Sequence, residues 1–183
     1  MKKYSFEEIQ ATKPSVDEVK NRKRTPIYVI LDNIRSLYNV GSIFRTSDAV
    51  LVEKIYLCGI TGCPPRNEIS KTALGAEEIV PWEYYDNASD VILELKEKGV
   101  RIVATEIAKG AKEYSEYDFN FPIALVFGHE VHGISDEIME MVDDSIYLPM
   151  LGRANSLNVA TCYGITVYEA FKQYKNSIKE KND

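Results

Sequence analysis

Five short apolar runs rich in β-branched and aromatic residues punctuate the chain, at residues 27–31 (IYVIL), 55–58 (IYLC), 100–105 (VRIVAT), 123–127 (IALVF) and 146–148 (IYL). Runs of this length and composition are strand-like. Between them, apolar or small residues recur at helical spacing: Val40, Ile43, Phe44 and Ser47; then Val91, Ile92 and Leu95; then Ala160, Tyr163, Val167 and Phe171. Strands alternating with amphipathic helices predict an α/β domain, a mostly parallel sheet with helices on both faces in a Rossmann-like arrangement. The last helix is read as 156–174, opened by Ser156 as a capping residue. Its apolar residues run around most of its circumference, so it needs cover on more than one side, from the core or from a second subunit.

The flanks are less regular. Residues 1–25 carry one helix-start signal, Ser5 followed by Glu7 and Glu8, and a basic group, Lys20, Arg22, Lys23 and Arg24. We read 1–25 as an arm, 26–175 as the folded domain and 176–183 as a short tail. Residues 59–82, with Pro64-Pro65 and then SKTALGAEE, read as a surface excursion with one or two helical turns: a loop able to close over a substrate, or plain connection.

Composition narrows the class. The 183 residues are 45% hydrophobic and 27% charged, which suits one globular unit. No run approaches the ~20 apolar residues of a membrane span, and MKKYSFEEIQ lacks the apolar centre of a signal peptide, so the expected location is cytoplasmic, without a membrane partner. Cys58, Cys63 and Cys162 form no CxxC pair and have no histidine at ligand spacing, which points to reduced thiols and no metal. A net charge of −6 argues against a protein that coats nucleic acid generally; an RNA partner requires locally concentrated cations. Arg35, Arg45 and Arg153 in the strand-end loops, and Lys172, Lys175 and Lys179 near the C-terminus, are candidates beside the basic group of the arm.

Three strands end in polar, glycine-bearing loops: DNIRSLYNVG after 27–31, GHEVHG after 123–127, and PMLGRANSLN after 146–148. In open parallel sheets, ligands sit beyond the carboxyl ends of the strands. Several common chemistries do not fit these loops. The G-x-G-x-x-G fingerprint is absent, and Ile134 stands where a P-loop lysine belongs. His129 and His132 are three apart in a loop, not four apart on a helix as zinc proteases need. Ser156 lacks a nucleophile elbow, which leaves a Ser-His pair with His129 or His132 a minor reading.

The residues themselves are familiar. Asn39-Val40-Gly41 with Arg45, then Phe127-Gly128-His129-Glu130-Val131-His132-Gly133, then Leu148-Pro149-Met150 with Ser156-Leu157-Asn158-Val159-Ala160, resemble the three ordered motifs of the SpoU (TrmH) family of RNA ribose methyltransferases, in the SPOUT class. The resemblance covers residues 26–174. It implies a C-terminal deep trefoil knot, S-adenosyl-L-methionine as cofactor, a ribose 2'-hydroxyl of RNA as acceptor (tRNA somewhat favoured over rRNA) and a homodimer with the last helix in its interface. It places Thr105, Gly128, Leu148, Met150 and Leu157 at the methyl donor, with Gly128 allowing close approach of the backbone. It places Asn39, Arg45, Glu130, Ser156 and Asn158 at the acceptor, with Asn39 and Glu130 orienting Arg45 or each other. Because a guanidinium keeps its proton up to a pKa of ~12 or more, Arg45 is expected to grip a phosphate and stabilise the reacting oxygen rather than act as a base. The competing readings are a catalytically silent RNA-binding module of the same fold and a small-molecule enzyme on a Rossmann-like sheet.

Overall fold

The computed structural model describes residues 1–180. All five apolar runs are strands: β1 (Thr25–Asp32), β2 (Val52–Cys58), β4 (Arg101–Thr105), β6 (Ile123–Phe127) and β7 (Asp144–Tyr147). Two more, β3 (Trp82–Tyr85) and β5 (Lys112–Glu113), complete a seven-stranded sheet in the order β3-β2-β1-β6-β4-β7-β5, with every pair parallel. The two additional strands are the edges. One face of each is solvated and neither contains a fully buried residue, so neither shows the apolar run by which the inner strands are recognised.

Alternate residues of the inner strands feed two cores. Val29 and Leu31 point with Ile55 and Leu57 towards α3 (Leu37–Val50), α4 (Asn67–Ala73) and α7 (Val159–Glu180); Val40, Ile43, Phe44, Tyr163 and Val167 close this side. Ile30, Ile102, Ala124 and Val126 face the other way, towards Val91, Ile92 and Leu95 of α5 (Ala88–Glu97) and Ile138 of α6 (Asp136–Met141). A strand buried on both faces reads as a continuous apolar run rather than an alternation.

The helix start at Ser5 is present, and several other details differ from the sequence reading. The arm holds two short helices, α1 (Phe6–Ala11) and α2 (Val16–Lys20), each opened by a serine in a full capping box and neither burying a residue. Residues 59–82 pack into the core as the connecting alternative implies, with Ile69, Ala73, Ala76 and Val80 in the core, and the Thr61 hydroxyl donates to Leu31 O and accepts from Ile34 N. An added Cβ at Gly41 would collide with the Ile69 carbonyl and the Thr72 hydroxyl, so this glycine is what lets α3 and α4 touch. The last helix starts at Val159, not at Ser156, and runs unbroken to Glu180, so a division at 175/176 falls inside it. Of the tail read as 176–183, residues 181–183 lie outside the described residues.

Arg24 also leaves the list of RNA-facing cations. Its guanidinium donates to the carbonyls of Val52 (3.2 Å) and Ile79 (3.0 Å) and pins the start of β2 to the end of the excursion. The three cysteines are free, and no helix among the described residues is long and apolar enough to cross a membrane.

Candidate active site

The carboxyl ends of β4, β6 and β7 border a cavity of about 490 Å³. Thr105 and Glu106 come from β4, residues 127–131 and Gly133 from β6, and residues 147, 148 and 150 from β7; residues 155–159 and Cys162 close it from the entry to α7. The five residues expected at the donor (Thr105, Gly128, Leu148, Met150 and Leu157) all line it, as do Glu130, Ser156 and Asn158 of the acceptor set. Asn39 and Arg45 do not line it.

Asn39 is nonetheless wired to the cavity. The Glu130 carboxylate accepts from the amides of Arg35 (3.0 Å) and Ser36 (3.0 Å), and from Asn39 Nδ2 (3.2 Å). Asn39 Oδ1 in turn accepts from Asn158 Nδ2 (3.1 Å), and Asn158 Oδ1 accepts from the amides of Ala160 (2.9 Å) and Thr161 (3.3 Å). One chain of hydrogen bonds therefore joins the loops after β1, β6 and β7. Burial pushes the Glu130 carboxyl up, but the two amides and Asn39 outweigh it and hold it below the usual glutamate value. Asn158, not Ser156, is the residue that caps α7.

Arg45 lies further along α3, six residues and roughly 9 Å of helix rise beyond Asn39. It is exposed and, among the described residues, its guanidinium makes no hydrogen bond or ion pair. The structure therefore ties Asn39 to Glu130, and does not bring Arg45 to either.

Gly128, which lines the cavity, also has a reason within its own loop. A Cβ there would stand 2.5 Å from the Gly133 carbonyl and Ile134 N, so the glycine serves the closure of its own loop. That loop is tight: His129 and Gly133 exchange main-chain hydrogen bonds (3.1 and 2.8 Å), while His129 Nδ1 accepts from the amides of Val131 (3.0 Å) and His132 (3.3 Å).

Glu106, absent from the sequence reading, also reaches this loop. Its Oε2 accepts from Ile134 N (3.1 Å) and its Oε1 from Ile107 N (3.0 Å). Its only signal in the sequence is its place directly after β4. Cys162 lines the same wall; burial pushes its thiol up to about 11, with the Glu106 carboxylate adding to the effect.

The SpoU rRNA Methylase family profile matches residues 26–168, most of the chain. The chain belongs to this family. It is 37% identical over 156 residues to the tRNA (guanosine(18)-2'-O)-methyltransferase of Aquifex aeolicus, a match covering 85% of this chain and 74% of that protein. The crystal structure of the A. aeolicus TrmH/SpoU tRNA modifying enzyme superposes with a TM-score of 0.80 at 36% identity, over 88% of this chain and 82% of that one. The AdoMet-bound rRNA methyltransferase of Sinorhizobium meliloti superposes with a TM-score of 0.76 at 32% identity, over 84% of this chain and 59% of that one. The sheet order and helices described above are thus those of a SpoU methylase, and the three sequence motifs fall on its three strand-end loops. None of these relatives supports a silent binding module: each carries the name of a modifying enzyme or methyltransferase.

The cavity fits the donor that the family implies. Its volume lies in the ~300–1,000 Å³ range of small-ligand sites, and it joins apolar walls (Phe127, Leu148, Met150, Leu157) to polar groups. The Thr105 hydroxyl, buried in this wall, has no hydrogen-bond partner among the described residues. A buried hydroxyl without a partner is costly, and a ligand in the cavity would relieve it.

Proposed function

We propose that this protein transfers a methyl group from S-adenosyl-L-methionine to a ribose 2'-hydroxyl of RNA, with tRNA as the favoured substrate. The observation that carries this reading is the Glu130–Asn39–Asn158 chain, which holds the loops of all three family motifs in one arrangement beside a cavity of donor size. The tRNA preference follows the A. aeolicus relatives. The expected site is cytoplasmic, where unmodified tRNA is found.

When bound, the donor supplies a methyl group made electrophilic by its sulfonium. The rest is positioning, which can contribute roughly 7–11 kcal/mol in well-oriented systems. Thr105 would hydrogen-bond the donor, and Leu148, Met150 and Leu157 would form the slot for its apolar parts, with the main chain of 148–150 reading its polar edges. Glu130, Asn39 and Asn158 act as positioning residues that hold the slot against α3 and α7. Ser156, an exposed residue of the lining, would meet the acceptor nucleotide. Arg35, Arg45 and Arg153 are exposed guanidiniums in or beside the motif loops, suited to backbone phosphates. Arg45 would hold the phosphate beside the reacting ribose and offset charge as it develops on the 2'-oxygen.

The reading includes the trefoil knot and the homodimer. Support for the first is the clamping of α7 between two parts of the chain. On one side Tyr163 OH and Ser47 Oγ of α3 are 2.5 Å apart; on the other, Gln173 accepts from Phe119 N and donates to Tyr117 O in the β4–β6 connection. Support for the second is the solvent side of α7, where Ile165 and Tyr168 lie uncovered.

The deciding experiment is mass spectrometry of tRNA and rRNA nucleosides from a deletion strain. Loss of one 2'-O-methyl nucleoside, restored by the purified protein with S-adenosyl-L-methionine, is expected. An unchanged set of 2'-O-methyl nucleosides in both RNA pools refutes the reading.

A further inference from the structure

Among the described residues, the wall of the donor cavity contains no lysine or arginine. Its charged and titratable members are Glu106, Glu130, His129, Tyr147 and Cys162. The wall thus carries two carboxylates. The two carboxylates differ in how they are spent. Glu130 accepts from three donors, all part of the protein's own framework. Glu106 accepts one main-chain amide at each oxygen, from Ile107 and Ile134, and makes no ion pair among the described residues. A carboxylate has about four acceptor positions, so half of those of Glu106 remain open. Gly133 strengthens the case that its place is fixed: a Cβ there would run into Glu106 Oε2, so the carboxylate is seated against bare backbone. A negative group held by neutral dipoles, in a wall of reduced polarity, favours a cationic ligand over a neutral one of the same shape.

We propose that Glu106 is a selectivity residue that makes the cavity prefer the cationic methyl donor over its neutral by-product. The inference rests on the donor assignment made above. In the reaction the 2'-oxygen forms a bond to the methyl carbon as the carbon–sulfur bond breaks, and the electron pair of that bond stays on sulfur. The hydroxyl proton leaves to solvent. The sulfonium becomes a thioether, so the ligand loses one positive charge while keeping nearly all its atoms. Shape alone discriminates poorly between the two, and both keep the same ammonium and carboxylate, whereas an uncompensated carboxylate loses the share of its attraction that acted on the sulfonium and weakens the hold on the product.

The test is calorimetric titration of the wild-type protein and of Glu106→Gln with three ligands. These are S-adenosyl-L-methionine, S-adenosylhomocysteine, and the analogue in which a protonated amine replaces the sulfonium. In the wild type both cationic ligands should bind about tenfold tighter than the thioether, a difference of ~1.4 kcal/mol. In Glu106→Gln the three affinities should converge to within about threefold, mainly through weaker binding of the cations. A cation-to-thioether ratio that survives the substitution overturns the proposal. So does a wild-type protein that binds the thioether as tightly as both cations, a comparison that holds even if the variant fails to fold. Failure of the wild type to bind any of the three sinks the donor assignment itself, which is a separate result.

Discussion

Asn158 does two things with one side chain. Its Oδ1 caps α7, and its Nδ2 reaches Asn39 across the site. Replacement by alanine should therefore remove about 1 kcal/mol of stability, the usual worth of a cap, and also disconnect the motif loops. Asn158→Asp keeps the capping oxygen and loses the donor. We expect the aspartate variant to match the parent in urea unfolding within a few tenths of a kcal/mol but to methylate RNA at least tenfold more slowly. Equal activity in both would show that the Asn39 link is idle. Arg45 makes the opposite prediction. Since it is not part of the cavity wall, Arg45→Ala should leave donor affinity within twofold while methylation falls by about 10²-fold, the usual loss of one charge-stabilising group. Arg45→Lys should recover part of that loss, because the charge stays and the planar fork goes. Donor affinity that drops with methylation would place Arg45 in the donor site.

At the scale of elements, the weak join is β7. It pairs with β4 over three residues, and two acidic side chains at its start do much of the holding. Asp143 accepts from Ile102 N (2.8 Å) and Lys96 Nζ (2.8 Å); Asp144 accepts from Arg101 Nε (2.6 Å) and Tyr117 OH (2.6 Å). Burial pushes both carboxyls up, but these partners outweigh it and bring both below 3.8. A carboxyl depressed in the folded state stabilises it at pH values above the unfolded pKa and loses that contribution as the pH falls. The strand that carries residues 148 and 150 to the cavity should thus be secure above about pH 4 and loosen below it. A variant with Asp143→Asn and Asp144→Asn should be less stable than the parent at pH 6, yet lose less stability between pH 5 and pH 3. Parallel pH profiles of urea unfolding for the two proteins would show that these carboxyls do not anchor the strand. Four inner strands, β1, β2, β4 and β6, were legible as apolar runs because most of their residues are buried on both faces, while β7, in which only Ile146 is buried, was legible from its short apolar run before Pro149. The edges β3 and β5 were not, since a strand with one partner and a solvated face lacks that signature.

For the whole molecule, the question is what covers α7. Its inner side is filled by Tyr163, Val167 and Ala170, while Tyr168 on the outer side is 50% exposed and Ile165 lies beside it. If this side is the subunit contact, the parent should sediment as a dimer and its Tm should rise with protein concentration. Ile165→Glu with Tyr168→Glu should yield a monomer whose Tm is independent of concentration. A parent that sediments as a monomer at all accessible concentrations refutes the homodimer.

The sequence by itself determined the five inner strands, the mostly parallel class of sheet and the three loops that meet at the site, because apolar periodicity and ordered motifs are local properties of the chain. It also named eight residues that line the cavity. What only the tertiary structure decided are contacts between groups far apart in sequence. They choose, of the two arrangements the sequence left open, the one that pairs Glu130 with Asn39, and leave Arg45 outside the wall. They assign the α7 cap to Asn158 and give Gly128 and Gly41 steric duties within the scaffold. They also put an uncompensated Glu106 in the wall. No local pattern carries those facts, since each depends on which backbone atoms a side chain meets after the sheet has been assembled.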